Sequence, residues 1–251
     1  MLNTNQLKKK ANQLRKDTFL SFIEKGEAHL GGSFSIIEIL IYLYELKLKI
    51  KDKFILSKSH ASFPLCLILR QKGYKNSLTT HLEIDTKNGI YCTTGSLGHG
   101  FPISVGMALA RKKAKKNGKI YVMVSDGECQ EGTTWESFLI ASKHNLSNLV
   151  LIIDYNKVQA LNSLKDVLPL TSLSKKIKSF NWNCIEIKNG HSFENIDRCF
   201  NKIPQNHRPT AIILNTIKSK GIKDFENDPA WHAKKIEGDL IEKGKIALGI
   251  K

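Results

Sequence analysis

The chain alternates between segments with helical periodicity and short segments that are apolar throughout. Apolar residues from Leu7 to Phe22 recur at spacings of three and four, which predicts an amphipathic helix over residues 5–25. Residues 35–47 are apolar on nearly every side, so we expect a buried helix there. Both patterns indicate a protein in which helices pack on a shared core.

Short apolar segments predict strands, and longer periodic segments predict the helices between them. The predicted strands cover residues 54–57, 119–125, 148–154, 183–187 and 210–217. Further predicted helices cover residues 61–72, 101–116, 131–145 and 193–200. Strands without polar alternation are buried on both faces, as in parallel sheets covered by helices. The pattern predicts an α/β fold, with a mainly parallel sheet flanked by helices, in a single domain spanning residues 1–251. A loop-like tail is expected from about Lys218.

Composition agrees with a globular protein that has no membrane span. Hydrophobic residues make up 41% of the chain and charged residues 25%, both ordinary values. The longest apolar stretch, Ile36–Leu46, contains Glu38 and Glu45 and is too short to cross a bilayer. The N-terminus lacks the apolar region of a secretory signal. Five cysteines without CxxC spacing favour reduced thiols, and therefore a cytoplasmic location without disulfides or a zinc site.

A formal net charge of +16 points towards anionic partners, which include nucleic acids, membranes and phosphorylated small molecules. The lysines are dispersed in several runs and are not interleaved with aromatic residues. This dispersal favours solvated helix faces, so neither a nucleic acid nor a membrane is expected as partner. A basic binding module without catalytic activity stays open as an alternative.

Two polar residues stand where neighbouring predicted strands end. Asp126 follows the strand 119–125, and Asn156 follows the strand 148–154. Ligands of open parallel sheets bind at the carboxyl ends of strands, so both side chains should face one crevice. Gly127 allows close approach of the backbone, and a following helix N-terminus favours phosphate oxygens. Carboxylate, amide and diphosphate oxygens suit Mg²⁺ or Ca²⁺. Alternatively, Asp126 is a helix cap and Asn156 a turn residue.

The segment SDGECQEGTTWESFLIASKHNLSNLVLIIDYNKVQ resembles the thiamine diphosphate motif of transketolases, in which GDG is followed about 30 residues later by Asn. EAHLGGSFSIIEILIYLY and TTGSLGHGFPISVGMALA are similar to two further transketolase blocks. The blocks of this kind cover residues 27–44, 56–65, 80–83, 93–110 and 218–234. Their order is that of the family, and together they span nearly the whole chain.

The resemblance implies a cofactor site assembled from several of these blocks. It assigns the Mg²⁺ ligands to Asp126, Asn156 and the backbone of Val158, which would clamp the diphosphate of thiamine diphosphate. The other implied cofactor-binding residues are His60, Gly95, Ser96, Leu97, Gly127, Glu128 and Glu131. Of these, Glu131 matches a glutamate at the interface between subunits.

The histidines fall into two groups. The resemblance implies that His29, His60, His81 and His232 are catalytic, because they match histidines that bind diphosphate, contact sugar hydroxyls and assist proton transfer. His144, His191 and His207 match no such block and are expected to be surface or satisfied core residues. Lys220 either faces a sugar phosphate or is a solvated lysine.

The resemblance also implies a partner. The transketolase carboxylate that activates the cofactor's aminopyrimidine lies in a second domain without a counterpart in these 251 residues. We therefore expect a split transketolase, in which this chain and a C-terminal, pyrimidine-binding subunit transfer a two-carbon ketol unit between sugar phosphates. A heterotetramer, or a homodimer of this chain, would hold the site. The alternative within cofactor chemistry is a component of a 2-oxoacid dehydrogenase, decarboxylase or ketol-acid synthase.

Several positions depart from the usual transketolase pattern. They are Leu30, Ser59, His99, Ser125 and Ala233. None of them removes an expected metal ligand, so cofactor binding should be retained. The substrate preference, in contrast, stays open.

Overall fold

A five-stranded parallel sheet forms the centre of the protein in a computed structural model that describes residues 2–26 and 29–251. The strands are β1 (Lys53–Leu56), β2 (Ile120–Ser125), β3 (Leu149–Tyr155), β4 (Asn183–Ile187) and β5 (Thr210–Asn215). Their spatial order is β1-β2-β3-β5-β4, and every neighbouring pair is parallel. The predicted α/β class and all five predicted strands are confirmed. Glu27 and Ala28, which open the block 27–44, lie outside the described residues.

Helices connect the strands and cover the sheet. They are α1 (Thr4–Lys25), α2 (Leu30–Phe34), α3 (Ile37–Tyr42), α4 (Ser62–Gln71), α5 (Gly100–Lys113), α6 (Gly132–Lys143), α7 (Leu164–Val167), α8 (Leu173–Ser179), α9 (Phe193–Asn201) and α10 (Asp239–Leu248). A π-helical turn, Leu43–Lys47, continues α3. The predicted helix over 35–47 is therefore present as α3 and this turn, but it is buried only as far as Leu43, and Leu46 is exposed.

The central strands separate two apolar cores. Side chains of β2 alternate between them, because successive residues of a strand point to opposite faces. Tyr121 and Met123 pack in the core formed with α1, α3, α4 and α9. Val122 and Val124 pack in the core formed with α5, α6 and α8. Burial on both faces explains why the strands are apolar throughout and show no polar alternation.

The prediction of a loop-like tail beyond Lys218 is wrong for its last part, where α10 forms. This helix packs against α1, where Gly244 faces the ring of Phe19. A side chain at position 244 would collide with that ring. Ile246 of α10 is exposed, while Leu240, Ile241 and Leu248 are partly buried against the core.

The five cysteines form no disulfide in the structure. No helix within residues 2–26 and 29–251 is both long and apolar enough to cross a membrane.

Candidate active site

A cavity of about 230 Å³ opens at the carboxyl ends of β2 and β3. The parallel register pairs Ser125 with Asp154, so that Asp126 and Asn156 leave neighbouring strands at the same edge. Both residues line the cavity, as the sequence predicts. The other predicted site residues in its wall are His60, Leu97, Gly127, Glu131, Val158 and His232.

Asp126 is a buried carboxylate that is held by backbone amides. Its Oδ1 accepts from the Gly127 amide at 2.8 Å, and its Oδ2 accepts from the Lys157 amide at 2.5 Å. The first bond makes Asp126 a cap of the turn Gly127–Gln130, so the alternative prediction is also correct locally. Burial and the nearby Asp154 carboxylate raise the pKa of Asp126 to about 7. The described residues form no salt bridge with Asp126, so its charge is available to a cation in the cavity.

Asn156 has a defined orientation. Its Nδ2 donates to Asp154 Oδ2 at 3.1 Å, and its Oδ1 accepts from the Val158 amide at 3.0 Å. A carboxylate such as Asp154 only accepts hydrogen bonds, so the partner fixes which amide atom is the oxygen. Asn156 Oδ1 has a second lone pair that can serve a metal ion.

Asp154 and Lys58 form an ion pair beneath the cavity that was not predicted from the sequence. Both side chains are fully buried, and Lys58 Nζ lies 2.5 Å from Asp154 Oδ2. Ser35 Oγ and Thr216 Oγ1 also donate to Asp154. Burial by itself would raise the pKa of Asp154, but the Lys58 ammonium and these hydrogen bonds hold it below its ordinary value. The sequence signal for this pair was Asp154, a charged residue near the end of the apolar strand β3, because a buried charge requires a partner.

Lys218 is the second buried cation at the cavity, and it too was not predicted. Its Nζ donates to the carbonyl oxygens of Val158, at 3.2 Å, and Gln159, at 2.9 Å. Burial lowers the pKa of Lys218 to about 8, while the Asp126 charge acts in the opposite direction. The ammonium therefore contacts the carbonyl that the resemblance assigns to a metal ion.

Three histidines come together at the side of the cavity. The ring centroids of His29, His60 and His232 lie 5.2–5.7 Å apart. Burial and the Lys58 charge lower the pKa of His60 well below its usual range. Burial and the Lys218 charge lower the pKa of His232 to about 4. Neutral imidazoles can both donate and accept hydrogen bonds near pH 7.

His81 lies apart from these three rings. It is exposed, and its ring packs against Gly95, where a β-carbon would meet the ring at 2.8 Å. A separate cavity, lined also by Thr79 and Leu82, borders it. The structure does not bring His81 to the other histidines, and its catalytic role stays a prediction.

Glu128 joins the cavity floor to the loop 93–100 without lining the cavity. This buried carboxyl accepts from Ser57 Oγ and from the Gly98 amide, the latter at 3.0 Å. Burial raises the pKa of Glu128 to about 7, against the effect of these bonds. Of the predicted residues Gly95, Ser96 and Leu97 in this loop, only Leu97 reaches the cavity wall.

Two departures from the transketolase pattern gain hydrogen bonds. Ser59 Oγ donates to the Thr94 carbonyl at 2.8 Å, and Ser125 Oγ accepts from the Glu128 amide at 3.1 Å. Lys220 pairs with Glu226 at 3.1 Å, which argues against a lysine that is fully free for a sugar phosphate.

Comparisons with known proteins agree with this geometry. The family model described as "Transketolase, thiamine diphosphate binding domain" matches residues 24–251. The chain is 34% identical to one subunit of the apulose-4-phosphate transketolase of Actinobacillus succinogenes, over 96% of this chain and 95% of that protein. It is 35% identical to 6-deoxy-6-sulfo-D-fructose transketolase subunit SqwG of a Clostridium species, over 93% of each.

Among solved structures, transketolase from Campylobacter jejuni superposes with a TM-score of 0.87 at 26% identity. The superposition covers 100% of this chain and 44% of that one, so this chain spans less than half of that transketolase.

Proposed function

This chain belongs to the transketolase family, and we propose that it is the thiamine-diphosphate-binding subunit of a split transketolase that transfers a two-carbon ketol unit between sugar phosphates. The observation that carries this proposal is the pairing of Asp126 with Asn156 at adjacent strand ends, in a cavity with two buried ammonium groups. An arrangement of this kind suits a metal-bound diphosphate.

The donor set fits a hard cation, Mg²⁺ or Ca²⁺. Asp126 supplies a carboxylate that forms no salt bridge with the described residues. Asn156 supplies an oriented amide oxygen, and Val158 supplies a backbone carbonyl. All three are oxygen donors, which these ions prefer over nitrogen or sulfur. Within residues 2–26 and 29–251 no cluster of three or more His, Cys, Asp or Glu side chains could hold a metal. A ligand set completed by phosphate oxygens is therefore the one that we propose.

The diphosphate would find its remaining counter-charges in Lys58 and Lys218, which both line the cavity. Gly127 lines it too and leaves room for close approach, since a β-carbon at this position would have only Gln159 as neighbour, at 3.7 Å. We assign Glu128 an indirect role in cofactor binding, because it contacts the loop 93–100 and does not line the cavity.

When bound, thiamine diphosphate supplies the carbanion chemistry, and the protein orients the reacting groups. The rings of His29, His60 and His232 would hold sugar hydroxyls and pass protons at their ring nitrogens. A cluster of three imidazoles favours a polyhydroxylated substrate over the 2-oxoacid of the alternative cofactor enzymes. The two relatives named above act on different sugars, so the sugar stays open.

We propose a partner subunit that carries the pyrimidine-binding domain. Both relatives above are named as subunits, and this chain covers 95% and 93% of their lengths. Glu131 is exposed beside the cavity, where it could meet such a partner. A heterotetramer in the cytoplasm, with residues 1–251 as one domain, is the assembly that we propose.

Calorimetric titration of thiamine diphosphate into the full chain tests this function. Binding is expected to require Mg²⁺ or Ca²⁺ and to strengthen when the product of a neighbouring transketolase-like gene is present. Thiamine without the diphosphate is the matched control and should not respond to the metal. Metal-independent binding, or no binding with metal and partner present, would contradict the proposal.

A further inference from the structure

A buried chain of polar side chains lies outside the cavity and behind one of its walls. Arg15 of α1 contacts Glu38 of α3, with Nη2 2.6 Å from Oε1. His191, in the loop before α9, places its Nδ1 2.9 Å from the other Glu38 oxygen. All three side chains are at most 10% exposed. The cavity chemistry described above uses none of them.

His191 is fixed in one tautomer by its partners. The Ile217 amide donates to His191 Nε2 at 2.9 Å, so this nitrogen carries no proton in the structure. Nδ1 must then carry the proton and donate it to Glu38. Burial alone would raise the pKa of Glu38, but Arg15 and His191 hold it at about 2, so the acceptor stays charged.

The Ile217 amide immediately precedes the cation of the cavity wall, Lys218. The segment that leaves β5 is also held at Thr216, which donates to Asp154, and at Ser219, whose amide donates to the Gly31 carbonyl at 3.1 Å. Between these two, the Lys218 carbonyl accepts from the Asn227 amide at 3.1 Å, and His191 supplies the contact at Ile217. Without His191, the Ile217 amide loses its hydrogen-bond acceptor.

The same polar chain also contacts the segment on the far side of Lys218. Gly221 has a φ of +106°, and a β-carbon there would lie 2.7 Å from Arg15 Cδ. Arg15 thus packs directly on the backbone at Gly221. The Arg15–Glu38–His191 chain supports the segment at positions 217 and 221, on either side of Lys218.

We propose that His191 is a positioning residue, which aims the Lys218 ammonium at the diphosphate of the cofactor. The inference deepens the proposed function and rests on it, because the diphosphate is the group that Lys218 would bind. His191 touches neither the cofactor nor the substrate. It acts through the Ile217 amide and the two bonds that orient its own ring.

The test compares full-length variants in calorimetric binding of Mg²⁺ with thiamine diphosphate, and in hydrogen exchange of the Ile217 amide. His191→Leu should speed this exchange and weaken cofactor binding about tenfold, the usual loss when an orienting partner is removed. His191→Gln should recover most of the affinity, because an amide can accept from Ile217 and donate to Glu38. If the leucine variant fails to fold, the comparison of His191→Gln with wild type still tests the role of the ring.

A double-mutant cycle separates positioning from general destabilisation. Lys218→Met should weaken cofactor binding, and adding His191→Leu to it should cost less than about twofold more, because the residues act as one unit. The matched control is Tyr42→Phe. Tyr42 lies on the same helix as Glu38, and the change removes its 3.0 Å hydrogen bond to Asp197. It should leave cofactor binding and Ile217 exchange unchanged.

Full additivity in the cycle, or unchanged binding by His191→Leu, would overturn the inference. A wild-type chain that binds no cofactor would overturn the proposed function together with it. A wild-type chain that binds normally while His191→Leu is silent overturns the positioning role alone.

Discussion

The cavity has two walls that are built in different ways. The strand-end wall consists of Asp126 and Asn156, which leave adjacent parallel strands and are placed by backbone pairing. The histidine wall consists of His60 and His232, with the His29 ring beside both, and the three come from separate connections of the chain. Backbone register determines the first wall, whereas side-chain packing among distant segments determines the second.

The walls also differ in charge, and burial and the same two lysines contribute to the difference. Lys58 compensates Asp154, which stays ionised, whereas Asp126 has no salt bridge among the described residues and a pKa raised to about 7. On the other side, burial lowers the pKa values of His60 and His232, and the charges of Lys58 and Lys218 add to this effect. Burial thus opposes the charged form on both walls, while the ammonium groups favour ionised carboxylates and neutral rings.

Lys58→Met should produce the largest effect, because it leaves Asp154 buried without a counter-charge. Breaking a buried pair from one side costs about 3–5 kcal/mol of unfolding free energy. Lys58→Met combined with Asp154→Asn should recover part of this loss, since no uncompensated charge remains. Urea unfolding of both variants measures the difference.

The control for this prediction is Lys245→Met, which removes an exposed pair with Glu242 at 3.1 Å. Exposed pairs contribute about 0–1 kcal/mol. If Lys58→Met were no more destabilising than this control, the strand-end wall would not depend on the ion pair beneath it.

Asp126→Ala should weaken metal-dependent binding of thiamine diphosphate about 100-fold, the loss expected when one of few metal ligands is removed. The fold should tolerate the change, because burial disfavours the ionised form of this carboxylate. Calorimetry measures the affinity, and thermal unfolding without metal measures the stability. Asp224→Ala changes an exposed carboxylate and should alter neither. Retained binding by Asp126→Ala would remove the strand-end wall from the metal site.

The strand-end wall could be predicted from the sequence because each of its signals is local. Uniformly apolar strands followed by Asp126 and Asn156, with the rule for parallel sheets, place both residues at one edge. The ion pair beneath it could not be predicted, because Lys58 and Asp154 are 96 positions apart. Lys218 resembled any other cation in a chain with 39 lysines and arginines.

The histidine wall shows the limit of family resemblance. The resemblance selected four histidines, and the structure brings three of them together, while His81 lies against Gly95. The spacing of the histidines along the chain contains no information on the distances between their rings, because separate loops carry them. The resemblance likewise gave no signal for α10, which lies outside the quoted blocks.

The last and smallest expected effect tests whether the histidine wall is neutral. The pKa of His232 is about 4 in the fold and 6.5 in its ordinary state, so the unfolded chain binds the proton first. The wild-type chain therefore loses stability as the pH falls from about 6.5 towards 4. His232→Asn lacks this loss, so its Tm relative to wild type should rise between pH 8 and pH 5. We expect a gain of about 3 °C, which corresponds to roughly 1 kcal/mol at this chain length and allows for screening of a half-buried ring.

His207→Asn, the same change at an exposed position, provides the control. A Tm difference for His232→Asn that stays constant from pH 8 to pH 5 would mean that the ring takes up its proton equally well in both states. The lysines would then not keep this wall neutral, and the electrostatic contrast between the two walls would be lost.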